Sequence, residues 1–259
     1  MLIWFVVGAI VSSIIVFIHY VNSKKSAEKQ FRSMSEWNQK LANNEDMHQG
    51  SINTFNLIQK VAIKGDSDAQ FELGVMYQEG KDVRQDDIRA FEWTQKSAQQ
   101  GNVKAQFNLG LSYSRGRGTL QDYAKAREWF EKAANQGEAN AQYALGLMYY
   151  DGKGIHQDYA KVIEWYHKAA NQGHAPAQSN LGVLYYVGEG VEQDYAKASE
   201  WFKKAADQNY IKSQYALGLM YQDGEGVRQD YAEARKWLGK ACDNGSQDAC
   251  EAYRILTQR

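Results

Sequence analysis

The chain has 259 residues, with 30 Lys and Arg against 31 Asp and Glu, which gives a formal net charge of −1 at pH 7. Nucleic-acid binding needs clustered basic residues, so this balance predicts no nucleic-acid partner. A single proline, together with frequent Ala, Lys, Glu, Gln and Tyr, favours an all-α protein.

The first predicted element is an apolar segment over residues 2–21, which contains no Asp, Glu, Lys or Arg. About 20 helical residues can cross the roughly 30 Å hydrocarbon layer of a bilayer. Trp4 and Tyr20 lie near its two ends, as aromatic residues do at membrane interfaces. A cleavable signal peptide is the alternative, but only Met1 precedes the segment and no small-residue cleavage site follows it. We therefore predict a transmembrane anchor over residues 1–21.

Residues 22–50 are polar and predict a stalk between the anchor and the folded domain. The stalk begins with the basic residues Lys24, Lys25, Lys29 and Arg32. The positive-inside rule then predicts a single-pass protein of the inner (plasma) membrane whose folded domain faces the cytoplasm. The periplasmic orientation is the alternative, and it depends on the state of two cysteines near the C terminus.

A Leu-Gly pair recurs every 36 residues along the remaining chain. It occurs at Leu73-Gly74, Leu109-Gly110, Leu145-Gly146, Leu181-Gly182 and Leu217-Gly218. A fixed period of this length is typical of stacked repeat arrays. Tryptophan recurs with the same period, at Trp93, Trp129, Trp165, Trp201 and Trp237. We predict five antiparallel helix pairs over residues 66–245, with the periodic tryptophans and tyrosines in the core.

One repeat shows how each pair is built. Residues 102–115 predict a first helix with the inward-facing residues Ala105, Leu109 and Tyr113. Gly110 lies inside that helix, where we expect it to allow the backbone of a neighbouring helix to approach. Asp122 is placed to cap the second helix, and Gly137 is placed to end it in the left-handed conformation. The second helix has an apolar stripe made of Ala126, Trp129, Phe130, Ala133 and Ala134.

Incomplete units are predicted at both ends of the array. Residues 51–65 match a second helix and predict a degenerate half repeat. Residues 246–259 predict a C-terminal capping helix. Its outer face carries Gln247, Glu251 and Arg254, and a polar outer face is what a terminal repeat requires.

The motif Ala-x-x-x-Leu-Gly-x-x-Tyr-x-x-Gly-x-Gly-x-x-Gln-Asp, followed by Ala-x-x-Trp-x-x-x-Ala-Ala-x-x-Gly, resembles the SEL-one-like repeat. This repeat is a relative of the tetratricopeptide repeat, and the resemblance covers residues 51–257. It implies a right-handed α-solenoid whose concave groove is lined by the first helices, and adaptor or scaffold roles of the membrane-anchored bacterial type. The motif is not matched at Asp82, Val162 and Asn209.

The residues that depart from the period are the candidate partner-binding residues. They are Asn108, Arg115, Arg117, Tyr150, Asn180 and Tyr186. The tyrosines would add aromatic surface to one end of the groove, and the arginines stand where other copies have smaller or acidic residues. The asparagines resemble those that contact peptide backbone in related helical-pair arrays. Ordinary surface variation is the alternative interpretation.

Catalytic and metal-binding patterns are weak in this chain. Gly-x-Gly loops such as Gly152-Lys153-Gly154 follow a helix, whereas a nucleotide-binding loop follows a strand. The histidines lack metal-ligand spacing, and His167 and His174 are expected to be solvated at a helix end. The one Ser-x-x-Lys, at residues 26–29, lacks its partner motifs. We predict no enzymatic activity, no metal and no cofactor.

Cys242 and Cys250 are the last informative feature. In the repeat register they lie at the end of a second helix and the start of the next first helix, so their Cα atoms could lie within the roughly 7 Å that a disulfide allows. Cysteine-rich bacterial relatives cross-link helices with this spacing, and such a bridge would require an oxidising compartment. Two buried thiols in a cytoplasmic protein are the alternative.

These features predict a membrane-tethered scaffold or adaptor that holds a partner protein or peptide in the concave groove. The alternative is a periplasm-facing immunity or envelope-assembly protein, which would neutralise a secreted toxin or position another protein.

Overall fold

The computed structural model describes residues 47–258, which contain twelve helices and no β-strand. The helices are α1 (Met47–Ile63), α2 (Ser67–Glu79), α3 (Asp87–Gln99), α4 (Val103–Arg115), α5 (Tyr123–Asn135), α6 (Ala139–Asp151), α7 (Tyr159–Asn171), α8 (Ala175–Val187), α9 (Tyr195–Asp207), α10 (Ile211–Asp223), α11 (Tyr231–Asp243) and α12 (Gln247–Thr257). Residues from Ile58 onward form one compact unit, and α2–α11 form five helix pairs in it. The predicted all-helical solenoid is confirmed, and its handedness stays a prediction.

The N-terminal predictions lie mostly outside this range. The anchor over residues 1–21 and residues 22–46 of the stalk are not among the described residues. Helix α1 begins at Met47, inside the predicted stalk, and ends at Ile63. None of the helices in residues 47–258 combines the length and the apolar character that spanning a bilayer requires.

The caps explain why the helices begin and end at the same place in every repeat. Asp122 precedes α5, and its carboxylate accepts the Lys125 backbone N–H at 3.0 Å. An aspartate does the same for each second helix: Asp86, Asp122, Asp158, Asp194 and Asp230. Gly137 has a φ of +93° after α5, as predicted for a left-handed helix end.

Two of the residues that depart from the repeat motif keep the left-handed backbone conformation of the glycine that they replace. Asp82 has a φ of +61° and Asn209 a φ of +63°. Aspartate and asparagine are the non-glycine residues that tolerate the left-handed conformation best. The repeat geometry is therefore preserved at both positions.

The core lies between the two helices of each pair and between consecutive pairs. Ala105, Leu109 and Tyr113 are buried, as predicted from their spacing. The expectation for the tryptophans was partly wrong, because Trp129 is only half-buried and the Lys132 ammonium lies 3.8 Å above its ring. The same Lys–Trp stack occurs in all five repeats, and only Trp165 and Trp237 are buried. The tryptophans therefore border the core and pack under lysine side chains.

The glycines inside the first helices make room for a side chain of the second helix, and at Gly74 and Gly218 also for its backbone. A Cβ placed on Gly110 would lie 2.6 Å from Cδ1 and Cε1 of Phe130 in the second helix of the same repeat. Gly146 and Gly182 face the rings of Tyr166 and Phe202 in the same way. The expected approach of a neighbouring backbone is thus wrong for these three repeats, where the closest atoms belong to an aromatic ring. It holds at Gly74 and Gly218, where a Cβ would lie 3.2 Å from Ala90 O and 3.1 Å from Leu238 N.

Candidate partner-binding surface

Each first helix presents a second stripe on the side opposite its buried residues. In α4 this stripe consists of Lys104, Phe107, Leu111 and Arg115, at the spacing that places residues on one helix face. We call the corresponding residues of α2, α4, α6, α8 and α10 the first-helix face. The middle of the stripe is apolar in every repeat: Val75, Leu111, Leu147, Val183 and Leu219. These side chains are only partly covered, so the face offers apolar surface for a partner.

On the first-helix face, the most exposed apolar side chains lie on α8. Val183 is 45% exposed and Val187 is 59% exposed, whereas the leucines at the Val183 position in neighbouring repeats are partly buried. The positions equivalent to Val187 are charged in the other repeats: Glu79, Arg115, Asp151 and Asp223. Arg115 is the one cation among them, and it has no ion pair within the described part of the chain. The face therefore combines a central apolar row with one basic residue at the position equivalent to Val187, Arg115 on α4.

Tyr150 and Tyr186 act between repeats. The Tyr186 hydroxyl donates to Glu225 at 2.6 Å, and the Tyr150 hydroxyl donates to Glu189 at 3.3 Å. Each glutamate belongs to the loop of the following repeat, and Glu189 also accepts from Tyr159. The hydrogen bond to Glu225 raises the pKa of Tyr186 to about 12, so this hydroxyl stays protonated and continues to donate.

The pairing explains why tyrosines occur at these two positions. Where the first helix carries Tyr150 or Tyr186, the next loop carries a glutamate. Where it carries Gln78 or Ser114, the next loop carries Arg117 or Lys153 instead. This pairing was not predicted, although Tyr150 and Glu189 are separated by 39 residues, as are Tyr186 and Glu225, and this separation can be found in the sequence. The hydroxyl groups of both tyrosines are thus hydrogen-bonded within the protein.

The two asparagines differ in whether their side-chain amides are hydrogen-bonded within the protein. The Asn180 amide donates to the hydroxyls of Tyr166 at 3.1 Å and Tyr143 at 3.4 Å, so it supports the array. Asn108 is half-buried, and its side-chain amide has no hydrogen-bond partner among residues 47–258. Asn108 and Arg115 are seven residues apart on α4 and lie on the same side of that helix.

Arg117 follows α4 in the adjoining loop. Its Nε lies 4.0 Å from Asp87 Oδ1, and both side chains are more than 40% exposed. Such a long, solvated pair contributes little to stability. Of the six predicted residues, the structure thus brings Asn108, Arg115 and Arg117 together on one helix and its loop. The other three lie in the next two repeats and contact other parts of the array.

A buried glutamine ladder joins the repeats on their other side. Gln106 Nε2 donates to the carbonyl of Ala98 in the preceding repeat at 3.3 Å, and Gln136 Nε2 donates to Gln106 Oε1 at 2.7 Å. The glutamine-to-alanine bond recurs from Gln70, Gln106, Gln142, Gln178 and Gln214, always to the residue eight positions earlier. These bonds satisfy buried polar groups that would otherwise be costly.

At the boundary between α11 and α12, Cys242 and Cys250 occupy the positions of the alanine and the glutamine of the ladder. Cys250 stands where each repeat has its glutamine, and Cys242 stands where each repeat has the alanine whose carbonyl accepts. The two residues form a disulfide, with their Cα atoms 4.6 Å apart. This bridge links α11 to α12 at the place where the other boundaries have a hydrogen bond.

The histidines have structural surroundings that sequence reasoning did not foresee. His174 caps α8, where its Nδ1 accepts the Ala177 N–H at 3.2 Å and its ring lies 4.8 Å from the ring of Tyr143. Burial lowers the pKa of His174, and it also lowers that of His167, which packs against Trp201. The expectation of solvated rings was therefore wrong for both. Within the described residues, no cluster of His, Cys, Asp and Glu is suited to hold a metal ion.

Comparison with known proteins agrees with this geometry. The Sel1 repeat family model matches residues 67–102, 103–138, 139–174, 175–210 and 211–246. The chain belongs to the Sel1 repeat family. The resemblance noted in the sequence is confirmed, and the Sel1 solenoid suggests a protein that binds other proteins. Proteins of this family are generally scaffolds rather than enzymes.

Solved structures give the same result. A protective antigen present in uropathogenic Escherichia coli strains is 37% identical, with a TM-score of 0.76 over 78% of this chain and 43% of that one. A Sel1 repeat protein from Oxalobacter formigenes is 29% identical, with a TM-score of 0.70 over 81% of this chain and 87% of that one. This chain therefore spans less than half the length of the antigen. No curated protein matches the chain.

One further likeness concerns the fold alone. An immunity protein from Pseudomonas aeruginosa is 19% identical, with a TM-score of 0.51 over 86% of this chain and 81% of that one.

Proposed function

We propose that this protein is a scaffold that binds a partner protein or peptide on the first-helix face, with α4 and the loop after it as the centre of contact. The observation that carries the proposal is the apolar row flanked by Asn108 and Arg115, neither of which has a partner for its side chain among the described residues. A docked segment could bury the apolar row and satisfy both polar groups. Arginine anchors of this kind are frequent at protein interfaces.

The partner surface that fits α4 is apolar with an acidic group beside it. Leu111 offers the apolar contact, and Arg115 and Arg117 offer two guanidinium groups that bind carboxylates well. Repulsion would select against a partner that is basic at this point.

A tether to the inner membrane through residues 2–21 is part of this proposal. It would confine the scaffold to the membrane surface and raise the effective concentration of partners held at the same membrane. The basic residues that follow residues 2–21 favour the cytoplasmic orientation.

A periplasm-facing protein is the second candidate, and the disulfide between Cys242 and Cys250 favours it. In that orientation the first-helix face would bind and neutralise a toxin, or position an envelope protein. The immunity protein with a similar fold does not indicate which partner this second candidate would bind.

Thiol labelling in intact cells separates the two orientations. A membrane-impermeant maleimide applied after a membrane-impermeant reductant should label Cys242 and Cys250 only if the domain faces the periplasm. Labelling that requires cell lysis would support the cytoplasmic scaffold and exclude the second candidate. The double variant Cys242→Ala, Cys250→Ala measures background labelling.

The binding surface is tested by crosslinking in cells, followed by purification of the full-length chain. Asn108→Ala combined with Arg115→Ala should remove the crosslinked partner. Arg235→Ala is the matched control, because Arg235 is an exposed arginine on the second helix α11. Equal recovery of the partner with the double variant and the control would overturn the assignment to α4.

A further inference from the structure

The last boundary of the array differs chemically from all the others. At five boundaries a glutamine donates to the carbonyl eight positions earlier, and at the sixth the residues eight positions apart are Cys250 and Cys242. We infer that this disulfide is a thiol–disulfide exchange site that holds α12 onto α11, and that its reduction by a dithiol releases α12. This inference does not depend on the proposed partner or on its binding face.

Helix α12 has few other means of staying in place. Interior first helices pack between the second helices of two repeats, whereas α12 has one second helix, α11, as its main neighbour within the described residues. Its buried side chains are Ala249 and Leu256, while Tyr253 is 38% exposed and Ile255 is 48% exposed. A helix of 11 residues is too short to be stable by itself. Without the covalent bond, α12 is retained by the burial of Ala249 and Leu256 and the partial burial of Ala252.

Reduction also leaves a gap in the ladder. A thiol at Cys250 is a weak donor and cannot replace the glutamine amide that meets the carbonyl at the other boundaries. The Leu-Gly pair of the interior repeats is replaced in α12 by Tyr253 and Arg254, so α12 lacks the glycine on which a second helix packs in those repeats. Within the described residues, reduced α12 therefore lacks both the side-chain bond and the second neighbouring helix that the interior first helices have.

The site is open to a thiol reagent. Cys242 and Cys250 are both partly exposed. A thiolate of the dithiol attacks one cysteine sulfur, the S–S bond breaks, and the other cysteine leaves as a thiolate that takes up a proton. The second thiol of the dithiol then displaces the first cysteine. In balance, two electrons and two protons pass to Cys242 and Cys250, and the dithiol becomes a disulfide.

Release of α12 uncovers an apolar part of α11. Leu238 and Ala241 are fully buried, and they share one cluster with Ala249 and Leu256 of α12. The redox state of the cysteines would thus decide whether the end of the array presents a polar cap or an apolar helix face. The other repeat boundaries have no cysteine and would not respond.

Hydrogen exchange of the full-length chain, measured by mass spectrometry with and without dithiothreitol, tests the inference. We expect exchange in residues 247–257 to accelerate by at least about tenfold on reduction, because helix opening becomes easier. Exchange in α6, which is distant along the array, should not change. Alkylation and intact mass establish that both cysteines are reduced.

Two variants make the test specific. Cys242→Ala combined with Cys250→Gln rebuilds the hydrogen bond of the interior boundaries, so α12 should stay protected with and without dithiothreitol. Cys250→Ala removes both kinds of link and should exchange rapidly in both conditions. Protection of α12 in the fully reduced wild-type chain, within about twofold of the oxidised chain, would overturn the inference. Rapid exchange in the rebuilt variant would also overturn it, because the two links would then not be equivalent.

Discussion

Replacing a glycine inside a first helix by alanine is expected to destabilise the protein, although alanine favours helix. At Gly110 the added Cβ would lie 2.6 Å from two ring carbons of Phe130. Carbon atoms pack at about 3.5–4.0 Å, so the ring must retreat by roughly 1 Å. Phe130 is 2% exposed and packs against Phe107 with their centroids 5.7 Å apart, so little space is free.

The magnitude follows from two opposing terms. Overpacking of a core costs about 1–3 kcal/mol, and this overlap belongs in the upper part of that range. The gain in helix propensity from glycine to alanine is about 1 kcal/mol. We therefore expect Gly110→Ala to lower the free energy of unfolding by about 1–2 kcal/mol.

Gly239 provides the matched control within the same fold. It also lies inside a helix, but a Cβ there would meet Tyr253 at 3.4 Å, an ordinary contact. Gly239→Ala should therefore raise the free energy of unfolding by up to about 1 kcal/mol. Urea unfolding followed by circular dichroism measures both variants. Equal or greater stability of Gly110→Ala, or an equal loss in Gly239→Ala, would refute the packing argument.

Two further predictions concern hydrogen bonds and pH. Tyr186→Phe should lower the free energy of unfolding in urea by about 0.5–1.5 kcal/mol, because it removes the hydrogen bond to Glu225. Tyr231→Phe should lower it less, because within the described residues the Tyr231 hydroxyl bonds only to Gln229, two residues away. Equal losses in the two variants would contradict the role of Tyr186 between repeats. Since the pKa of Tyr186 is raised to about 12, its contribution is complete below about pH 10 and is lost as the pH rises through 12. Burial lowers the pKa of His174, so its stabilisation is complete above about pH 6.5 and is lost as the pH falls towards the pKa of the folded state. His174→Asn keeps a capping side chain, as at Asn102, and should make the melting temperature less dependent on pH below 6.5. An unchanged pH dependence would exclude His174 as a titrating cap.

The candidate surface was only partly predictable from the sequence. Asn108 and Arg115 depart from the repeat, and their side chains have no partner among residues 47–258, so their role in binding stays a prediction. Tyr186 departs equally, but its hydroxyl bonds to Glu225 of the next repeat. A departure from the period shows that a residue is unusual, and only its neighbours in space show whether the protein itself uses it.

The sequence by itself determined the architecture, because local signals recur in every copy. The 36-residue period, the capping aspartates and the apolar stripes act over a few residues, so their spacing is sufficient to predict helix pairs. The tertiary structure decided what touches across repeats. It showed that Gly110 accommodates the ring of Phe130 and that Cys250 takes the place of a ladder glutamine. These contacts depend on the packing of side chains from separate helices, which periodicity along one chain does not specify.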